Sequence, residues 1–179
     1  MGHRSGDGTE KTGAARRTAL YGMMTALAFL FSYLETLIPL NLGVPGVKLG
    51  LANLVSIVAL YLLGACPAAA ITLVRVVLSG LTFGSLSMMM YSLGGAAVSL
   101  TLMIFLKRLD CFGVTGVSIA GGAGHNIGQL AVAAAVVENG ALFYYLPVLL
   151  AAGTAAGAVI GLLGGLIVER LGNVYRREN

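Results

Sequence analysis

The sequence predicts an all-α integral membrane protein, and its composition carries most of this prediction. Apolar residues make up 58% of the 179 residues and charged residues only 10%, whereas soluble domains carry about 25% charged residues. A soluble chain of this length must cover its core with polar surface, and this composition cannot supply one. The apolar excess also excludes intrinsic disorder. The two cysteines form no CxxC pair, so a secreted disulfide scaffold is excluded as well.

Six apolar stretches are separated by short polar, glycine-rich or proline-containing breaks. A helix needs about 20 apolar residues to cross the hydrocarbon core of a bilayer. The predicted transmembrane helices are 18–38, 49–63, 68–83, 86–106, 114–137 and 142–168. They form one compact bundle over residues 17–168. We expect a disordered cytoplasmic N-terminus at 1–16 and a cytoplasmic tail at 169–179.

The positions of the basic residues predict the orientation of the bundle. With a cytoplasmic N-terminus, nine of the eleven basic residues lie on the cytoplasmic side, namely Arg4, Lys11, Arg16, Arg17, Lys107, Arg108, Arg170, Arg176 and Arg177. Both termini are therefore predicted in the cytoplasm, with the protein in the bacterial cytoplasmic membrane. A cleaved signal peptide is the competing interpretation, but the first apolar run continues to Ile38 and favours a retained helix.

Small residues recur every four positions in the last two predicted helices. Such spacing lets helix backbones approach closely in lipid. It predicts tight packing inside one bundle, and the alternative is a docking surface for another subunit. The two ridges are Gly116, Ala120, Gly124 and Gly128, and Gly153, Gly157, Gly161 and Gly165.

No catalytic or metal-binding signature is present. The sequence has no GxxxxGK[ST], HExxH, CxxC or DDxxD motif. We therefore predict no catalytic residue, no metal site, no bound cofactor and no enzymatic activity of the chain itself. The basic residues gather at the ends of apolar runs rather than in a stripe, so nucleic acid is not a predicted partner.

Several polar residues lie within the predicted helices at similar depth. Arg75 alone would cost at least about 2.5–3.5 kcal/mol in lipid, so it should face the bundle interior. The candidate substrate-binding residues are Glu35, Lys48, Asn53, Arg75, Tyr91, His125, Asn126 and Gln129. Together they predict a pocket for an anionic or carbonyl-rich solute.

Four of these residues also have a structural interpretation. His125 could form a hydrogen bond between helices, and Asn53 could cap the second helix. Glu35 could simply neutralise Arg75, and Lys48 could extend to the lipid headgroups. The alternatives stay open at the level of sequence.

Six segments resemble one known family. They are VPGVKLGLANLV (44–55), ALYLLG (59–64), RVVLSGLTFGS (75–85), YSLGGAAVSL (91–100), VSIAGGAGHNIGQL (117–130) and YYLPVLL (144–150). The chain resembles the Gx transporter family, often labelled heptaprenyl diphosphate synthase component I, over about residues 18–168. That family is similar in turn to the substrate-binding S subunits of energy-coupling-factor transporters.

The resemblance implies a solute pocket in the outer half of the membrane, closed by the loop at 39–48. It also implies docking on a transmembrane coupling subunit that carries two ATPases. The S subunits dock through an Ala-xxx-Ala face on their first helix, for which the nearest match here is Ala19, Gly22 and Ala26. Relatives also occur beside flavin-dependent electron-transfer systems, which makes a flavin-type solute a candidate.

Three functions follow as hypotheses. The first is a membrane subunit that binds and transports a small vitamin- or cofactor-like solute. The second is a non-catalytic membrane component of a polyprenyl diphosphate synthase, and the third is a membrane subunit of a flavin-dependent electron-transfer system.

Overall fold

The computed structural model describes residues 6–37 and 50–177. These residues form six α-helices and one 3₁₀-helix and contain no β-strand, which confirms the all-α fold class. The α-helices are α1 (Gly6–Leu37), α2 (Leu51–Leu62), α3 (Ala65–Thr82), α4 (Leu86–Arg108), α5 (Val114–Val137) and α6 (Leu146–Arg177). The 3₁₀-helix, Gly140–Tyr145, leads directly into α6.

The helix ends follow local signals in the sequence. Ser85 caps α4, because its hydroxyl accepts a hydrogen bond from the backbone N–H of Met88 at 3.2 Å. Glu138 ends α5 in the left-handed conformation, with φ of 52°. The Asn139 side chain then accepts a hydrogen bond from the backbone N–H of Ala141 at 2.9 Å and starts the 3₁₀-helix. The predicted breaks at 84–85 and 138–140 are thus turns between helices.

Four stretches are long and apolar enough to cross a membrane: Ala15–Leu37, Ala65–Thr82, Leu86–Arg108 and Gly140–Gly172. Their outer surface is apolar, as shown by Leu81, Met23 and Leu162, which are 74%, 62% and 62% exposed. Large exposed apolar faces of this kind suit lipid contact and not water. The protein is membrane-embedded.

The two remaining helices differ from these four in length or polarity. α2 has only 12 residues, which is roughly 18 Å of helix and less than the hydrocarbon thickness. α5 has 24 residues, but His125, Asn126 and Gln129 lower its hydropathy. The prediction of six full membrane crossings therefore remains a proposal.

The core lies around α2. Ile57, Ala59 and Leu60 are each at most 1% exposed, and they pack with apolar residues from all five other α-helices. A short helix that is apolar around most of its circumference is buried by its neighbours. The hydroxyls of Ser56 and Thr72 lie 2.9 Å apart and join α2 to α3.

Glycines bring α5 close to both α4 and α6. A β-carbon at Gly157 of α6 would lie 2.7 Å from the Ser118 carbonyl oxygen, and one at Gly161 would lie 2.6 Å from Thr115 Cα. The ridge on α6 therefore packs inside the bundle, as the first interpretation predicts. Gly165 faces more open space, since its nearest neighbour would be 3.8 Å away. On α5, Gly116 meets only Phe112 of its own chain segment.

Helical structure extends beyond the predicted transmembrane helices at both ends of the described chain. α1 begins at Gly6, so residues 6–16 are helical where we expect disorder. This segment contains Ala, Glu, Lys and Arg, which favour a helix that is already nucleated by the apolar residues after it. At the other end, α6 continues to Arg177, well into the predicted cytoplasmic tail.

Candidate functional site

A polar cavity lies between the six helices, with a volume of about 50 Å³. That volume is several times the space of one water molecule. Every α-helix contributes to its wall, and most of the contributions are polar side chains or glycines. The polar residues that line it are Glu35, Asn53, Arg75, Ser92, Ser99, Ser118, His125, Asn126 and Gln129.

Arg75 is the charged centre of this cavity. Its side chain is only 8% exposed. Nη1 donates one long hydrogen bond, 3.4 Å, to the hydroxyl of Ser32. Nε and Nη2 are buried and have no hydrogen-bond partner among the residues that the structure describes. These two nitrogens share one edge of the guanidinium, the edge that can donate two parallel hydrogen bonds to a carboxylate or phosphate.

Glu35 lies beside Arg75 but has another contact. One oxygen of its carboxylate accepts a hydrogen bond from the backbone N–H of Leu51, the first residue of α2. A carboxylate at a helix N-terminus is favourable because it meets the unsatisfied N–H groups and the positive end of the helix dipole. Gly50 occupies the N-cap with φ of 76°, a conformation that favours glycine. Glu35 therefore acts on Arg75 through its charge while it caps α2.

The polar residues of α5 are held by contacts with both neighbouring helices. Asn126 donates a hydrogen bond from Nδ2 to the backbone carbonyl of Leu149 on α6, at 2.6 Å. His125 lies against α4, where a β-carbon at Gly95 would come within 2.9 Å of Nε2. A β-carbon at Gly153 would likewise lie 2.7 Å from Asn126 Nδ2. Glycines at these two positions therefore make room for polar side chains.

A second, smaller polar space of about 40 Å³ adjoins the first. The two share Glu35, Arg75 and Ser92, so Arg75 stands between them. Phe83 lines the second space, with its ring centroid 5.6 Å from that of Tyr33. Tyr33 packs against Phe83 near the C-terminal ends of α1 and α3.

The structure brings together most of the predicted binding residues. Glu35, Asn53, Arg75, His125, Asn126 and Gln129 line the polar cavity. Tyr91 instead lines a separate apolar cavity, and its neighbour Ser92 faces the polar one. One residue along a helix is a rotation of about 100°, which explains the difference. Lys48 lies outside the described residues.

Sequence reasoning missed the hydroxyl groups of the cavity. Ser32, Ser99 and Ser118 are buried on α1, α4 and α5 and face the polar spaces. Their position within apolar runs is the one signal in the sequence that could have revealed them. Serine is nevertheless common in membrane helices as a packing residue, so that signal is weak.

The predicted docking residues on α1 lie outside the cavity. Ala19, Gly22 and Ala26 are exposed on α1, and a β-carbon at Gly22 would have no neighbour within 4 Å. No group of three or more His, Cys, Asp or Glu residues that could hold a metal ion occurs in the described part of the chain.

Comparison with protein families gives one match. A family model described as heptaprenyl diphosphate synthase component I matches residues 24–167. The chain belongs to this family. The matched range includes every residue that lines the polar cavity, as well as Ala26. The word component in the family description points to a multi-subunit assembly. No curated protein and no solved structure matched the chain.

Proposed function

We propose that the chain is a membrane subunit that binds a small anionic solute in the cavity around Arg75. The observation that carries this proposal is the buried guanidinium, whose Nε and Nη2 have no hydrogen-bond partner among the described residues. A buried charge is costly unless hydrogen bonds satisfy it. A carboxylate or phosphate on the Nε–Nη2 edge would supply both the counter-charge and the missing acceptors.

The other cavity residues fit such a solute. Ser92, Asn53 and Gln129 can donate hydrogen bonds to the oxygens of an anion or a carbonyl group. Glu35 gives the cavity a negative charge on one side, so it disfavours an anion that is not placed against Arg75. This arrangement favours a solute with a localised anionic group and polar atoms next to it.

The proposed topology has six membrane crossings and both termini in the cytoplasm. Lys107 and Arg108 end α4 at the same end of the bundle as the α2–α3 turn, because Lys107 Nζ donates a hydrogen bond to the Leu60 carbonyl at 2.7 Å. Lys107 also lies 4.8 Å from the centre of the Tyr61 ring. In the positive-inside orientation this end faces the cytoplasm, and Leu51, the first residue of α2, is at the opposite end.

Transport would require partner proteins. We propose that α1 docks on a transmembrane coupling subunit, with ATPases attached, through Ala19, Gly22 and Ala26. The support is their exposure and the open space at Gly22. Co-purification with a coupling subunit should be lost in Gly22→Leu, whereas anion binding by the isolated chain should persist. Loss of anion binding would show that Gly22 has an internal packing role.

The proposed binding function is tested by the thermal unfolding midpoint of the detergent-purified protein. Sodium phosphate, ethyl phosphate and acetate are compared with choline chloride at constant ionic strength. An anion at ten times its Kd stabilises the folded state by about 1.4 kcal/mol. We expect stabilisation by at least one of the anions and none by choline.

The matched control for this test is a second arginine. Arg75→Gln should abolish the stabilisation, and Arg108→Gln, an exposed arginine at the end of α4, should keep it. Equal stabilisation of both variants would contradict the proposed site.

A second candidate function is the non-catalytic membrane component of a polyprenyl diphosphate synthase. The family description favours it, and so does the large apolar cavity beside the polar one. Co-purification of a soluble synthase subunit, together with membrane-dependent product formation by that subunit, would support this function over transport.

A further inference from the structure

An apolar cavity of about 370 Å³ adjoins the polar cavity. It lies between α4, α5, the 3₁₀-helix and the start of α6. Its volume is within the range of binding sites for small organic ligands. Apart from two amides its walls are Met88, Tyr91, Leu130, Ala133, Val137, Leu142, Tyr145 and Leu149.

The two amides, Asn126 and Gln129, also line the polar cavity. The Asn126 side chain is fixed by its hydrogen bond to Leu149. Gln129 is half-buried and lines both cavities. Its amide can donate hydrogen bonds to the polar atoms of a ligand and accept hydrogen bonds from them. The two cavities thus share a polar boundary rather than a wall of apolar packing.

We propose that the ligand is an anionic amphiphile that occupies both cavities. Its anionic group binds Arg75 in the polar cavity, the atoms next to that group pass Asn126 and Gln129, and its apolar part lies between α4, α5 and α6. This proposal rests on the proposed function, because it assumes that Arg75 binds the anionic end. It adds the chemical class of the rest of the molecule.

The small volume of the polar cavity supports this division of the ligand into an anionic end and an apolar part. At about 50 Å³ it holds an anionic group and a few neighbouring atoms. A larger molecule needs additional space, and the apolar cavity is several times larger. The apolar lining selects against a ligand that is charged at both ends, since burial of an unpaired charge there is costly.

Ethyl, butyl, hexyl and octyl phosphate test the proposal, each below the concentration at which it forms micelles. Their Kd values are measured by titration of the purified protein in nanodiscs. Each methylene transferred from water to an apolar site raises affinity by about fourfold. Since hexyl phosphate has four more methylenes than ethyl phosphate, we expect affinity to rise by up to about 250-fold between them. A series without dependence on chain length would overturn the proposal.

Two variants on α5 locate the effect. Ala133→Phe fills the apolar cavity and should remove the chain-length dependence. Ala135→Phe is the matched control on the exposed face of α5 and should keep the full dependence. Ala133→Leu is a smaller change that should reduce the dependence even if the phenylalanine variant fails to fold. Chain-length dependence unchanged in a folded Ala133 variant would refute the location.

The outcomes separate this inference from the proposed function. If ethyl phosphate binds through Arg75 but longer alkyl chains do not raise the affinity, the anion site is supported and the proposal of an amphiphilic ligand is wrong. If every alkyl phosphate binds Arg75→Gln with the same Kd as the wild-type protein, the alkyl chain is held independently of Arg75, and both proposals are wrong.

Discussion

Arg75→Lys is the most informative single substitution in the polar cavity. Lysine keeps the positive charge, but its ammonium group is a point charge and lacks the planar edge of the guanidinium. The proposed anion receives two parallel hydrogen bonds from Nε and Nη2, the two nitrogens that have no hydrogen-bond partner among the described residues. Lysine can replace one of these bonds in the same direction. The substitution therefore tests geometry separately from charge.

The size of the effect follows from the lost hydrogen bond. A hydrogen bond to a charged group contributes about 1.5–3 kcal/mol. Since 1.4 kcal/mol is a factor of ten in affinity, the Kd for ethyl phosphate should rise by about 10- to 150-fold. Arg75 is only 8% exposed, so solvent does not weaken this interaction as it would at the surface.

The assay is a titration of ethyl phosphate against wild type, Arg75→Lys and the control Arg108→Lys, with folding checked by gel filtration. An unchanged Kd for a folded Arg75→Lys protein would refute the two-bond geometry. A double variant, Glu35→Gln with Arg75→Gln, tests whether Arg75 serves only to neutralise Glu35. Normal binding by the double variant would remove Arg75 from the site.

Three further results are expected. The double variant Glu35→Gln with Arg75→Met should raise the stability of the ligand-free protein by about 1–4 kcal/mol, because it removes both partners of a buried charge pair; a lower melting temperature would show that the pair is structural. Gly157→Leu should lower the free energy of unfolding by about 1–3 kcal/mol or prevent folding, because the leucine side chain would meet the α5 backbone. Gly165→Leu should be tolerated, and equal melting temperatures of the two variants would refute the proposed packing of α6 against α5. A membrane-impermeant maleimide should label the exposed Cys66 and Cys111 only after intact cells are opened, and labelling from outside would overturn the orientation.

The helices were largely predictable because their ends carry strong local signals. At the turn Gly84-Ser85, Ser85 caps the N-terminus of α4. At the break Glu138-Asn139, Glu138 ends α5 in the left-handed conformation. The 3₁₀-helix after Asn139 was not predicted, because its apolar residues read as the start of the last span. The helical segment from Gly6 was missed because its polar composition resembles that of a disordered tail.

The polar cavity was predictable for a different physical reason. Contact with lipid is unfavourable for polar side chains such as Arg75 and His125. Their similar depth within the predicted membrane helices therefore indicates that they share the interior of the bundle. The direction in which a side chain points around its helix is harder to predict. For this reason Tyr91 was expected in the polar cavity, whereas its neighbour Ser92 lines it. The roles of Gly95 and Gly153, which make room for His125 and Asn126, depend on packing between helices that the sequence does not display.

The central claim is that Arg75 binds an anionic group, and native mass spectrometry of gently purified protein tests it most directly. We predict that the wild-type protein carries a bound small molecule whose fragments contain a carboxylate or phosphate. The same preparation of Arg75→Gln should lack it, and Arg108→Gln should retain it. An equally occupied Arg75→Gln protein, or a bound molecule without an anionic group, would contradict the account.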